Sequence, residues 1–367
     1  MEKINLGELI GYIIVIINSR GKRIILMQKI AIITGISGQD GSYLAKFLLS
    51  KNYRVIGVRR PNASSDLWRF SELGLNQDVE MLDLNLQDKD DIIAALRKIK
   101  PDEIYNLGGQ TSVQTSFYSP ADAAKYSGLN ALLLLEALKD TERSIRFYQA
   151  SSSEMFGASK TSPQNEQSPF QPISPYAASK LTAHLGVRNF RNTYGLHASA
   201  GIMFNHESPM RGLEFVTRKI TYTLANIACG SDAVLSLGNI EARRDWGYAG
   251  DYVQAMWAML QQDNPDEYVI ATGKSNSVKS FTHKAAALLG YDIIWEGEAH
   301  ETCGYDKLSG RLLVNIDTSL YRPIDPDETV GDFSKALKKL NWEPRVSFDE
   351  LIELMVDADL KRVQDLR

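Results

Sequence analysis

A doubly wound parallel α/β sheet followed by a smaller C-terminal α/β lobe is the fold class the sequence predicts. Three observations carry that prediction. Runs of β-branched residues alternate with helical patterns at intervals of about 20 to 30 residues between Lys29 and Ser152, the rhythm of strand–helix–strand units. The first run ends on regularly spaced glycines, Gly35, Gly38 and Gly41. The chain, at 367 residues with 44% hydrophobic and 23% charged, is long enough to bury the cores of two lobes.

The elements follow in order. "KIAIIT" reads as a strand, "SYLAKFLLSKN" as an amphipathic helix and "YRVIGV" as a second strand. "VEMLDL" leads a third strand to Asp83, "DDIIAALRKIK" is helical, "EIYNLGG" is a fourth strand, "NALLLLEALKD" a helix and "SIRFYQASS" a fifth strand. Residues 28–200 are therefore expected to form mainly the sheet domain. Residues 201–367 form mainly the second lobe, with some chain crossing back to the sheet. Residues 1–27 stand apart as an extension. Its apolar run "LIGYIIVII", Leu9 to Ile17, has nine residues, against about 18 for a membrane span. Lys3 is offset by Glu2 and Glu8 and no small-residue cleavage site follows, so a signal peptide is not read here. The fold is expected to begin near Gln28, with Met27 read as the initiator.

Composition narrows the function classes. A net charge of −4 with no long basic run argues against nucleic acid. Cys229 and Cys303 form no CxxC pair, so neither a zinc site nor a disulfide framework is expected, which suits a reducing cytoplasm. No HExxH marks a metal site and no GxSxG marks a hydrolase.

The glycines sit between a predicted strand and the helix after it. There Gly35 permits the tight turn, Gly38 lets backbone amides approach a pyrophosphate, and Gly41 lets the helix pack on the sheet. This is the dinucleotide-binding (Rossmann) arrangement. At the end of the second strand "GVRRPN" offers Arg59 and Arg60, donors suited to a 2′-phosphate, so NADP is the expected cofactor. On the alternative, the pair is a solvated basic turn.

Further on, "SPYAASK" places Tyr176 and Lys180 four residues apart, on one helical face. A tyrosine whose phenol is made more acidic by a neighbouring ammonium acts as a base near neutral pH, and the lysine also holds ribose hydroxyls. "QASSSEMFG" ends the fifth strand, where sites assemble in such sheets.

With those residues in view, the sequence resembles the extended short-chain dehydrogenase/reductase superfamily and, within it, the GDP-mannose 4,6-dehydratases. The resemblance runs from about Gln28 to the C-terminus. It rests on "TGISGQDGSYLAKFLL", "YNLGGQTSV", "YQASSSEMFG", "SPYAASK", "FNHESPMRG", "VTRKI", "LGN" with "RRDWG", "DYVQAMW", "YRP" and "LNWEPRVSFDEL". It implies four catalytic residues: Tyr176 takes the O4 proton, Lys180 lowers its pKa, Ser152, where the family usually has threonine, holds the oxygen, and Glu154 serves proton removal at C5 and water loss at C6. A hydride-only enzyme has no use for Glu154.

The resemblance also implies that Gly35, Ile36, Ser37, Gly38, Gln39, Asp40 and Gly41 line the cofactor, as do Arg60, Asp83 and Leu84. Leu107, Gly108, Gly109, Gln110 and Thr111 follow on the fourth-strand loop, and His206 and Arg211 complete that set. Ser112, Asn205, Lys219, Arg244, Arg322 and Asp325 match positions that hold the nucleotide sugar. The implied substrate is a GDP-sugar, GDP-mannose first, in deoxyhexose (GDP-fucose) synthesis, and the implied assembly a homo-oligomer, dimer or tetramer. His206 also reads as a satisfied core histidine, and Trp246 and Trp342 as core. The sequence departs from the family pattern at Ile173 and Ala177, at Met210, in "GGQTSV", and in "PNASSDLWRF" after Arg60, a stretch that in the family reaches a neighbouring subunit. Three other readings stay open: a dehydratase of a related GDP-sugar such as GDP-heptose, a hydride-only nucleotide-sugar reductase or epimerase, and a non-catalytic NADP-binding regulator.

Overall fold

The β-branched runs pair into one sheet. In the computed structural model, which describes residues 13–17, 23–61, 67–141, 144–322 and 324–367, seven strands form the central sheet: β1 (Ile30–Thr34), β2 (Arg54–Arg59), β3 (Glu80–Asp83), β4 (Glu103–Asn106), β5 (Arg146–Ser152), β6 (Ala198–Met203) and β7 (Glu267–Ile270). Their order is β7-β6-β5-β4-β1-β2-β3, and each neighbouring pair is parallel. The order reverses beside β1, the switch point at which such sheets bind ligands.

Both faces of this sheet are covered, so adjacent residues of one strand enter different cores. Ile33, Tyr105 and Tyr148 pack with Leu44 and Leu48 of helix Gln39–Ser50 and with Met256 and Leu260 of helix Ala249–Gln261. Ile32, Ile104 and Phe147 pack on the other side with Leu134 and Leu138 of helix Asn130–Lys139 and with Val187 of helix Pro175–Tyr194. Strand β7 and helix Ala249–Gln261 belong to the second half of the chain yet complete the sheet and one of its layers.

Helix Pro175–Tyr194 carries the YxxxK pair, and its start is set locally. Ser174 adopts an extended conformation, its Oγ accepts from the Ala177 amide at 3.1 Å, and Pro175 occupies the first turn.

The second lobe has its own core, in which Ile220, Leu224, Phe281, Leu313 and Met355 are fully buried. A four-stranded sheet, Leu235–Leu237, Leu312–Ile316, Cys303–Asp306 and Ile293–Glu296, lies beside helices Val216–Ala228, Val278–Leu288 and Phe348–Asp365. A three-stranded sheet of Ser275–Ser277, Arg243–Tyr248 and Asn205–Glu207 belongs to the same half of the chain. Upstream of β1, Ile13–Ile17 and Arg23–Met27 pair antiparallel in a sheet of their own. The rest of residues 1–27 lies outside the described residues, as do residues 62–66 of the "PNASSDLWRF" stretch. Among the described residues no helix is long and apolar enough to cross a membrane.

Candidate active site

The carboxyl ends of β1 and β4 are tied to the middle of β5 by a ladder of buried side chains. Thr34 Oγ1 donates to Asn106 Oδ1 at 2.7 Å, Asn106 Nδ2 to Gln149 Oε1 at 2.8 Å, and Gln149 Nε2 to the Ala150 carbonyl at 3.0 Å. That carbonyl also accepts from Lys180 Nζ at 2.9 Å. Every member is buried, so each polar atom is held by a partner rather than by water. Lys180 is thereby fixed to the strand that ends at Ser152.

Beside the ladder lies the glycine turn. Gly35 has φ +68°, and a Cβ there would stand 2.8 Å from the Gly108 amide nitrogen. One on Gly41 would stand 2.4 Å from the Gly35 carbonyl oxygen. The turn therefore closes on itself and on the fourth-strand loop, leaving helix Gln39–Ser50 to begin at Gly38, which has no capping side chain. This is a cradle that fits a dinucleotide diphosphate, since backbone amides at a helix start favour an anion. Asp40, in the first helical turn, would oppose that charge were it alone, but its Oδ2 pairs with His206 Nε2 at 2.8 Å. Burial raises the Asp40 carboxyl, but the charge and hydrogen bond of His206, with Gln39 and Arg211, outweigh it and bring the pKa down to about 2. Burial lowers the His206 imidazole, and Asp40 more than restores it. Ile36 and Leu84 are buried and act as packing, while Gln39 is buried with its amide donating to the His206 carbonyl at 3.0 Å.

Ser152, Glu154, Tyr176 and Lys180 meet in a cleft of about 480 Å³. Ser152 ends β5, and its Oγ accepts from the Glu154 amide at 3.2 Å, which caps the short helical turn Ser153–Met155 that carries Glu154. The expectation that Lys180 makes the Tyr176 phenol acidic needs correction for the protein by itself. Burial dominates and pushes that phenol up to about 12; the Ser152 hydrogen bond lowers it and the Glu154 charge raises it. The Lys180 Nζ lies 5.8 Å from the ring centroid, and burial pulls its own pKa down to about 8. The desolvation that holds these groups in place disfavours both charged forms.

Leu107, Thr111, Ser112, Asn205 and Arg211 line the same cleft, and so do Lys219, Arg244, Arg322 and Asp325 at its second-lobe end. Arg244 and Arg322 share Asp325 Oδ1, at 2.7 and 3.0 Å, and Arg322 Nη1 lies 3.7 Å from Glu154 Oε1. One guanidinium thus reaches both the carboxylate at the strand end and the acid of the opposite lobe. Burial lowers the Lys219 ammonium, and Asp317 opposes that shift.

The outer residues are separated by their partners. The sequence treats Arg59 and Arg60 alike, but Arg59 is bound to Asp83 through two contacts, at 2.5 and 3.2 Å. The Arg60 guanidinium lies 5.2 Å above the Tyr126 ring. Gly108 donates to Thr34 Oγ1 at 2.9 Å, and a Cβ on Gly109 would stand 2.8 Å from Ser127 Oγ. Gln110 Nε2 donates to the Ser112 carbonyl at 2.6 Å. Among the described residues no group of three or more His, Cys, Asp or Glu side chains is placed to hold a metal ion.

Comparison with known proteins decides the family. The family model described as GDP-mannose 4,6 dehydratase matches residues 32–355. The GDP-mannose 4,6 dehydratase of Cricetulus griseus is 47% identical over 342 residues, covering 91% of this chain and 92% of that relative. The chain belongs to the GDP-mannose 4,6-dehydratase family. The enzyme of that name from Vibrio cholerae is 44% identical over 355 residues, covering 92% and 95% of the two chains. Among solved structures, a UDP-glucose 4-epimerase from Thermotoga maritima superposes with a TM-score of 0.76 at 23% identity, covering 92% of this chain and all of that one, which is a likeness of fold.

Within this member of the family, sequence reasoning missed the Thr34–Asn106–Gln149 ladder and two further supports. Buried Glu207 pairs with Arg211 Nε at 3.0 Å and accepts from Thr217 Oγ1 at 2.7 Å, so Arg211 enters the cleft already oriented. Arg69, from the stretch after Arg60, reaches the glycine turn. Thr34 and Asn106 end their strands and Glu207 stands four residues before Arg211, local signals that were readable; the reach of Arg69 to Ser37 and Met210 depends on long-range packing and left none.

Proposed function

We propose that the chain is an NADP-dependent GDP-mannose 4,6-dehydratase in which Ser152, Glu154, Tyr176 and Lys180 carry the reaction. GDP-D-mannose becomes GDP-4-keto-6-deoxy-D-mannose and one water is released. The observation that carries this reading is the presence of a carboxylate, Glu154, in the same cleft as the Tyr176–Lys180 pair. A hydride-only enzyme would need the pair without the acid.

The residues divide the work. Tyr176 removes the O4 hydroxyl proton and Ser152 hydrogen-bonds the oxygen. Glu154 removes the C5 proton, which the C4 ketone has made acidic, and passes a proton to the departing C6 hydroxyl, so water leaves and the carboxylate is restored. When bound, the nicotinamide would supply a hydride acceptor for C4 and a hydride donor for C6; Lys180, held on the Ala150 carbonyl, supports the Tyr176 phenol. A solvent-derived proton delivered to C5, balanced by release of the O4 proton that Tyr176 took up, completes the product.

The nucleotide sugar is held from the second lobe by Arg244, Arg322, Lys219, Asn205 and Asp325, with Ser112 opposite; planar guanidiniums suit a diphosphate. Arg60 supports NADP over NAD, because it stands at the end of β2 while Asp83, the acid of the neighbouring strand, is neutralised by Arg59. A cytoplasmic homo-oligomer belongs to the same proposal; Tyr118, Leu129 and Leu185 stand exposed and apolar on helices of the sheet domain. The test is direct. Purified protein incubated with GDP-mannose and NADP is expected to yield a nucleotide sugar lighter by one water with no net change in cofactor oxidation state. An unchanged sugar, or a C4 epimer of equal mass, refutes the proposal.

A further inference from the structure

We propose that Arg69 is a positioning residue that latches the cofactor cradle shut through the catalytic cycle. Arg69 stands on the short helix Trp68–Leu73 and does not line the cleft. Its Nε donates to the Met210 carbonyl at 2.6 Å and its Nη1 to the Ser37 carbonyl at 3.1 Å. Ser37 lies inside the glycine turn, and Met210 immediately precedes Arg211, which lines the cleft. One half-buried guanidinium therefore joins the two walls that face the dinucleotide, one from each half of the chain.

The arginine is itself held from behind. Its guanidinium lies 4.6 Å over the Trp68 ring, and those of Arg218 and Arg362 lie 5.6 Å from the same ring. Arg362 pairs with Glu72 of the same short helix, at 2.5 Å, and with Asp359, at 3.0 Å. Arg218 pairs with buried Asp359 at 2.7 Å. The latch is thus anchored to helices Val216–Ala228 and Phe348–Asp365. Alongside it, Ser208 Oγ donates to Gln39 Oε1 at 2.7 Å, and Asp40 pairs with His206, so the two walls meet through several polar contacts in one patch.

The proposed function gives this arrangement its use, and the inference rests on that reading. A dehydratase that ends with its cofactor in the starting oxidation state loses the cycle if the cofactor leaves between the half-reactions. Ser152, Glu154, Tyr176 and Lys180 sit on β5, the turn after it and helix Pro175–Tyr194, whereas the two carbonyls that Arg69 holds belong to the glycine turn and to the segment before Arg211. Removing the latch is therefore expected to speed cofactor release and leave the chemistry of the loaded protein in place.

The experiment uses the full chain and the variants Arg69→Ala and Arg69→Lys. Release of bound NADPH is followed by its fluorescence after mixing with excess NADP. Charge-assisted hydrogen bonds to two carbonyls predict release about tenfold or more faster for Arg69→Ala, with Arg69→Lys, which reaches one carbonyl, in between. GDP affinity, measured by titration calorimetry, is expected to stay within about twofold. During turnover of GDP-mannose the Ala variant is expected to release reduced cofactor and 4-keto sugar in equal amounts into the filtrate, since each early release strands one oxidised sugar. Unchanged release rates in both variants overturn the latch; faster release with an equal loss of GDP affinity overturns it in favour of general loosening. Should Arg69→Ala fail to fold, the lysine variant decides by the same two readouts. A wild-type protein that binds NADPH but does not dehydrate GDP-mannose refutes the functional reading separately, and the release rates still judge the latch.

Discussion

Replacing Glu154 by Gln separates a dehydratase from its hydride-only relatives. Gln keeps the volume and the hydrogen-bonding reach of the side chain but cannot take a proton. Loss of a positioned general base slows a step by about 10² to 10⁴, equivalent to about 2.7–5.4 kcal/mol of barrier. Against that stands the lost ion pair with Arg322, 3.7 Å away with the two side chains 17% and 33% exposed. Such a part-exposed contact contributes at most about 1 kcal/mol. The catalytic effect therefore exceeds the structural one, and the variant is expected to fold and bind GDP-mannose. Tyr176, Lys180 and Ser152 are untouched, so oxidation at C4 should survive. Rapid mixing with GDP-mannose is expected to show absorbance of reduced nicotinamide building to a plateau on the enzyme, with no deuterium entering C5 from heavy water. Wild type should incorporate solvent deuterium at C5 and accumulate no reduced cofactor. Release of 4-keto-6-deoxy product by Glu154→Gln at near the wild-type rate, or product from wild type without solvent hydrogen at C5, would refute the assignment of the carboxylate.

Tyr176→Phe removes one buried phenol oxygen and should abolish turnover while circular dichroism and NADP binding stay close to wild type; appreciable activity would remove Tyr176 from the mechanism. Arg60→Ala should weaken NADP by about tenfold to a hundredfold and NAD far less, because one charge-assisted contact to the 2′-phosphate is lost; equal losses by titration calorimetry would assign the arginine to the adenine or the fold. Burial lowers Lys180 to about 8, so it carries its proton below that pH and loses it above. Activity should fall as pH rises through about 8, and Lys180→Arg should move that limb upward in the rate profile. Stability should change in the opposite sense for this group: from about 8 toward the ordinary lysine value of 10.5 the unfolded chain binds the extra proton, so the contribution to folding rises with pH. A basic limb unmoved by Lys180→Arg would assign it to another group.

The sequence by itself determined the parts of this protein whose cause is local. Alternating β-branched runs bounded by turns predict β1 to β5 because the existence of a buried strand is signalled by its own local run, and the observed strands end within a residue or two of those runs, except β4, which stops at Asn106 before the glycines. Gly35 was legible for the same reason, since its φ of +68° is one that L side chains rarely adopt. The four-residue step from Tyr176 to Lys180 is likewise a property of one helix. Tertiary structure decided whatever depends on a partner distant in the chain. Asp40 and His206 are 166 residues apart, and only packing of the second lobe on the glycine turn brings them to 2.8 Å. Arg59 and Arg60 are neighbours in sequence but differ in partner because β3 presents Asp83 to one and the helical segment Ala124–Leu129 presents Tyr126 to the other. The Tyr176 phenol was expected to be acidic from its neighbour's charge, yet a charge acts at a distance and through a dielectric that the fold sets. With Lys180 drawn onto the Ala150 carbonyl and both side chains desolvated, burial outweighs proximity. Composition and spacing carry identity and order along the chain, whereas pKa, ion pairing and the reach of Arg69 to two carbonyls follow from burial and from distances that come into being only when the lobes close on one another.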